Sequence, residues 1–159
     1  MPKRDDSRVV YVTEAAQQAL LAAAAKSHPL ETGGILIGVR AEGRPCVTLA
    51  IEVTTDDRSE RHYRLPAGET KKRVTEARLL DPRVGYLGEW HSHPADVGPS
   101  GQDRGAMRAL SYVLSSPFPL LIIVRRGESG DYLNVWQSIF FTLQPRNPRL
   151  IGDLPPLGD

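Results

Sequence analysis

Cysteine is nearly absent: Cys46 is the sole one among 159 residues. A disulfide within the chain is therefore impossible, and cysteine-rich zinc modules are excluded. Cys46 lies in RPCVTLAIEV, beside an expected strand, and reads as a small buried hydrophobe. A nucleophilic thiol needs a paired His and a cause for a depressed pKa, and the sequence offers neither. Long apolar runs are also missing. The longest, Ala19 to Ala25, has seven residues, against the ~20 that span a bilayer. The opening MPKRDDSR has no apolar stretch behind it, so no secretory signal is expected and the expected location is the cytoplasm. Excess charge is missing too: twenty basic and nineteen acidic side chains leave a net charge of +1. The one basic run, Lys71-Lys72-Arg73, is too short to argue for nucleic acid. What remains is ordinary for a globular chain, with 40% apolar and 25% charged residues. The length fits one domain of about 100–150 residues, and no internal repeat or second domain is visible.

Val9 to Val12 is a short β-prone run, and Thr13 follows as an N-cap with Glu14 in the first turn. Ala15 to Lys26 is rich in helix formers, and His28-Pro29 ends it. Ile35 to Ile37 reads as an apolar strand entered through Gly33-Gly34, AEGRP as a hairpin turn, and Val47 to Val53 as the returning strand. The polar TTDDRSERHYR, Thr54 to Arg64, reads as a solvated loop. Glu69 to Leu80 reads as a helix and Val84 to Trp90 as a strand. Gln102 to Leu114 is helical, with Ala106, Ala109, Leu110 and Val113 on one face. Leu120 to Val124 has the continuous apolar character of a strand buried on both faces. A turn at Glu128 to Asp131 leads to a partner strand, Tyr132 to Leu143. The last sixteen residues contain four prolines and no periodicity, and read as a surface or disordered tail. The pattern predicts an α+β fold, a mixed sheet with helices packed on it.

The chemistry concentrates in EWHSHPADVGPSGQD, Glu89 to Asp103. On a strand, residues i and i+2 share a face, so His91 and His93 can converge. Two imidazoles and one carboxylate are a common set for a catalytic zinc, with the fourth position left open. Ser100 and Asp103 equally match a helix capping box, S-x-x-[DE], which needs no chemistry. A carboxylate in the first turn suits both readings. Glu89 shares the strand face of the two imidazoles. It either orients a ligand or is simply solvated. His28 and His62 have no partner at ligand spacing and read as surface histidines. Trp90 reads as core packing.

Upstream lies ETGGILIG, Glu31 to Gly38. Together with HSHP and SGQD it resembles the JAMM motif of the JAB/MPN metalloprotease family: E-x-x-G, an apolar run and G, then H-S-H-P, then S-x-x-D. ETGGILIG and GEWHSHP are similar to the bacterial branch. The resemblance is ordered along the chain from Val9 to Leu143. It implies a single JAB/MPN domain over 1–143, three-layered like the cytidine deaminases, followed by the Pro-rich tail 144–159. It implies one zinc ion per chain held by His91, His93 and Asp103. Glu31 would serve as general base and then general acid, and Ser100 would donate a hydrogen bond to the oxyanion. Family members commonly place one more residue between the second His and the Asp. The shortfall lies in Ala95 to Pro99, because Ser100 and Asp103 keep their spacing; the ligands are expected to survive it.

The resemblance implies a zinc isopeptidase acting on a ubiquitin-like protein or its conjugates, with E1- and E2-like enzymes as associated partners, and no nucleic acid or membrane. Thr54 to Arg64 is the candidate substrate-contacting segment, offering an edge for an extended tail. A groove open to a thin tail is expected around the zinc. With four His and one Cys in the chain, and only SSPFP between the last helix and the next strand, there is no room for the second zinc of polyubiquitin-specific relatives. Two other readings use the same residues: a peptidase that releases an amino acid or extension from a small sulfur-carrier protein, and a non-catalytic MPN scaffold.

Overall fold

The computed structural model describes residues 6–113, 118–140 and 142–155, with the backbone alone for 108–113. In chain order the elements are β1 (Val9–Thr13), α1 (Glu14–Ser27), β2 (Gly33–Ala41), β3 (Arg44–Glu52), β4 (Arg58–Ser59), β5 (His62–Tyr63), α2 (Glu69–Leu80), β6 (Gly85–His93), α3 (Gly101–Val113), β7 (Leu120–Gly127), β8 (Gly130–Ile139) and β9 (Thr142–Ile151). Thr13 caps α1 as expected, its hydroxyl accepting from the Ala16 N–H at 3.2 Å.

Seven strands form one sheet in the order β1-β3-β2-β6-β7-β8-β9, and it closes because β1 also pairs with β9. The β1–β3, β6–β7 and β1–β9 pairs are parallel and the rest antiparallel, so the sheet is mixed. Helices lie on both faces, and strand parity decides which. Leu36 on β2 and Leu120, Ile122 and Val124 on β7 pack with Ala16, Leu20 and Ala24 of α1. Their neighbours turn the other way. Ile35 and Ile37 meet Ala77 of α2, and Leu121 and Ile123 meet Met107 of α3. The two-faced burial accounts for the continuous apolar runs in β2 and β7. The α+β architecture expected from the sequence is the one observed. Of the expected α3 stripe, Ala109, Leu110 and Val113 lie outside the described side chains.

The tail expected from residue 144 is instead mostly strand. β9 runs to Ile151; residues 142–146 pair with β8 and residues 147–151 with β1. Each half is paired along one side only, so Pro145 and Pro148 are tolerated there. The strand expected over Tyr132 to Leu143 breaks at Phe140, which takes a left-handed φ of 46° and starts a second hairpin. The sequence between Ile139 and Thr142 carries none of the Gly, Asn or Pro signals that announce a turn.

Candidate active site

β6 holds the centre of the sheet, between β2 and β7. Its register slips where β2 passes from Leu36 to Ile37, placing Leu87 in a bulge. Leu87 and Trp90 can then both face α1, although they are three residues apart. Beyond the bulge, Trp90 and Ser92 point one way and Glu89, His91 and His93 the other. Ser92, on the face away from the histidines, binds the neighbouring segment instead. Its N–H donates to the Thr32 carbonyl at 2.8 Å, and its hydroxyl accepts from the Thr32 N–H at 3.0 Å. These two bonds fasten the segment that carries Glu31 to the strand that carries the histidines.

The loop after β6 returns at Ser100 to start α3. The Ser100 N–H donates to Asp103 Oδ2 at 2.7 Å, and the Asp103 N–H donates to Ser100 Oγ at 3.1 Å. The capping box is therefore real, and it also aims Asp103. Asp103 Oδ1 lies 3.2 Å from His91 Nε2, and Asp103 Oδ2 lies 3.6 Å from His93 Nε2. Glu31 Oε1 stands 3.8 Å from His93 Nε2. Four of the five predicted site residues thus converge on one point, with side chains 7–13% exposed. Ser100, the fifth, lies at its rim and lines the same cleft.

The donor chemistry of this point fits a metal ion. His91 Nε2 and His93 Nε2 face each other at 3.1 Å. The second ring is fixed from behind: His93 Nδ1 lies 2.9 Å from the Val97 carbonyl, which only accepts, so Nδ1 carries the proton and Nε2 offers a lone pair. A lone pair that close to a second imidazole nitrogen needs a cation or a proton between them. Among the described residues, His91, His93 and Asp103 form the group able to hold a metal ion, and two imidazoles with a carboxylate suit a catalytic zinc.

The titration of these groups follows from their surroundings. Burial pushes Glu31 up to about 7, against the pull of His91. Burial would raise Asp103 too, but the hydrogen bonds from His91 and Ser100 outweigh it and hold the carboxyl at about 2. Burial lowers His93, and its bond to Val97 opposes that only in part, so the neutral ring is favoured. Glu89 is raised by burial to about 7, with His91 again working against the shift. Its place on the ligand face is the one period-2 counting assigns.

The cluster opens onto a cleft of about 1670 Å³. Residues 60–65 line it, as do Val97, Pro99, Ser100, Arg104, Arg125 and Trp136. The segment Thr54 to Arg64 is less featureless than its composition implies. β4 and β5 form a small antiparallel hairpin, and its Ser59 carbonyl accepts from the Glu31 N–H at 2.8 Å. Tyr63 donates to the Val53 carbonyl at 2.6 Å and packs over Gly33. Here sequence reasoning missed residues. His62 is not a bare surface histidine: it pairs with Asp57 at 2.8 Å and lines the cleft, as does His28. The alternation that would reveal a strand is two residues long in each arm, too short to register.

Comparison with known proteins adds the following. The family model described as prokaryotic homologs of the JAB domain matches residues 13–138. A probable metalloprotease of Sinorhizobium fredii is 28% identical over 136 residues, covering 81% of this chain and 83% of its own. A CD-NTase/cGAS isopeptidase of Pseudomonas aeruginosa is 29% identical over 114 residues, covering 70% of this chain and 72% of its own. The solution structure of a Desulfitobacterium hafniense protein superposes with a TM-score of 0.68 at 20% identity, covering 91% of this chain and 94% of that one.

Proposed function

The chain belongs to the family of prokaryotic JAB-domain homologues, and on that footing we propose that it is a zinc-dependent isopeptidase acting at the C-terminal tail of a ubiquitin-like protein. One observation carries the reading: His91, His93 and Asp103 converge with a buried Glu31 beside them, at a cleft far larger than the ligands need. Relatives described as a metalloprotease and as an isopeptidase support the reaction class. The cleft exceeds the ~300–1,000 Å³ of small-molecule sites, which favours a polypeptide substrate. The β4–β5 hairpin beside Glu31 offers a short strand edge for an extended tail.

His91, His93 and Asp103 would hold the zinc ion, which when bound supplies a Lewis acid that polarises the scissile carbonyl and makes hydroxide available near neutral pH. Glu31 takes up a proton at its carboxylate and returns it to the leaving amine. A buried carboxyl beside the cluster is placed to do both. Ser100 Oγ already accepts from the Asp103 N–H, so its own hydroxyl proton remains to be donated to the developing oxyanion. No acyl-enzyme is required, in keeping with a Cys46 thiol that is buried and pushed up in pKa by that burial.

Glu31→Gln tests the assignment. The variant is expected to keep one zinc per chain by elemental analysis and to lose about 10²–10⁴ in turnover. Purified from its own host, it should retain a ubiquitin-like protein joined through its C-terminus, identified by mass spectrometry and absent from wild type. A small carrier protein bearing an added amino acid would move the substrate to carrier processing. A metal-free wild-type chain with no hydrolysis would overturn the enzyme reading and leave the scaffold.

A further inference from the structure

His93 ends β6, and its orientation depends on a carbonyl in the loop that follows. Residues 94–99 form neither helix nor strand, and Val97 exposes about half its surface, 53%. The Val97 carbonyl nonetheless holds His93 Nδ1 at 2.9 Å. Something outside the loop must hold that carbonyl in place.

Register supplies it. His93 pairs with Arg125 on β7, so the Arg125 side chain starts beside the loop. Its Nε donates to Asp96 Oδ1 at 2.9 Å, its Nη2 to the Asp96 carbonyl at 3.1 Å, and its Nη1 to Asn134 Oδ1 at 3.2 Å. Tyr132 and Asn134 stand two apart on β8 and share a face. Tyr132 donates to Asp96 Oδ1 at 2.7 Å, and the Arg125 guanidinium lies 5.6 Å from its ring centroid. The guanidinium fork thus grips both the side chain and the backbone of the residue next to Val97, and is itself fixed on two sides.

We infer that Arg125 is a positioning residue for the metal centre: through Asp96 it sets the Val97 carbonyl, which fixes the His93 ring and leaves Nε2 aimed at the cluster. The inference rests on the metal-binding reading above and adds to it a residue outside the JAMM motif. Partners that orient a ligand imidazole typically change metal affinity by about 10–100-fold. The pair is exposed on its Asp96 side, 51%, though Arg125 is exposed by only 20%; solvent screening there keeps its share of fold stability small. Metal affinity and thermal stability should therefore separate.

Arg125→Met, Arg125→Lys and wild type would be stripped of metal and melted. Each would then be titrated with zinc against a chromophoric chelator, and with cobalt(II) followed by visible absorption. Arg125→Met is expected to melt with wild type within about 2 °C, to bind zinc about 10–100-fold more weakly and to show an altered cobalt spectrum. Arg125→Lys keeps the charge but loses the fork, and should recover only part of the affinity. Asp96→Ala, at an exposed position, should reproduce the loss and serves the same test if Arg125→Met does not fold. Unchanged zinc affinity and an unchanged cobalt spectrum in Arg125→Met and Asp96→Ala would overturn the inference. A fall in activity alone would do the same, marking Arg125 as a substrate contact in the cleft. A wild-type chain that takes up neither metal would remove the metal-binding reading itself, and this inference with it.

Discussion

Ser100 shows how one hydroxyl can serve both folding and chemistry. Its oxygen accepts the Asp103 N–H and so caps α3, while its proton stays available to a substrate oxygen. The two roles respond differently to substitution. Ala at an N-cap costs about 0.5–2 kcal/mol, whereas Gly costs only a few tenths. Both remove the donor, which is worth about 10²–10³ in rate. Ser100→Ala should therefore lose stability and turnover together, and Ser100→Gly should lose turnover with a near-wild-type urea midpoint. Near-wild-type turnover in Ser100→Gly would remove Ser100 from the chemistry and leave it the cap alone. At this scale the sequence is highly legible. His91, His93 and Asp103 are chemical types at spacings that strand parity and helix capping make sense of, Glu31 is legible only through the resemblance to the JAMM motif, and the structure brings the four together. Ser92 and His62 are not legible in the same way, because their roles depend on partners sixty and five residues away, Thr32 and Asp57. Nothing local marks either pair.

Elements differ in how much of their context is local. α1 announces itself through Thr13, its Ala-rich body and the proline after His28, all within one window, and its observed span follows. β2 is different. Its Gly33-Gly34 reads from sequence as a strand entrance, but the structure gives a harder reason for glycine. A Cβ on Gly34 would collide with the Ile51 carbonyl of β3, and one on Gly33 would press into the Trp90 carbonyl and the Tyr63 ring. The strand that carries the Glu31 segment can lie this close to β3 and the hairpin only without side chains there. Gly34→Ala is expected to cost about 1–3 kcal/mol, as overpacking of a well-packed site does, read as a lower urea midpoint. Gly105→Ala is the control. Among the described residues nothing lies within 4 Å of a Cβ there, and the position is an exposed turn of α3, so it should gain about 0.5–1 kcal/mol. If the two variants shifted alike, the close approach at Gly34 would not be what selects glycine.

At the scale of the whole molecule the sheet closes through pairs that no sequence window contains. Val9 to Thr13 align with residues 147–151, and only the finished fold shows that a proline-bearing segment without periodicity is the seventh strand of the sheet. Its contribution is more than a cover. Leu143 is buried at 7% and joins the cluster of Met107, Leu121 and Ile123 beneath α3, the helix whose first turn carries Asp103. Removing β9 would also leave β8 and β1 as open edges, a hazard for aggregation. Two truncations separate strand from tail. A chain ending at Ile151 keeps every β9 pair and loses, among the described residues, the exposed bond from Arg83 to the Pro155 carbonyl and the half-buried Leu154 side chain, so its melting temperature should fall by no more than about 4 °C. A chain ending at Ile139 loses both half-ladders, and Leu143 with them. About five lost hydrogen bonds at about 1 kcal/mol each, with about 2–4 °C per kcal/mol for a chain of about 150–250 residues, already predict a fall of about 10–20 °C, with dye binding to newly exposed apolar surface. The site should suffer with the fold, because α3 would lose the floor that holds Asp103 opposite His91. A chain ending at Ile139 that melted normally and bound zinc normally would mean that β9 merely lies against a sheet already complete without it.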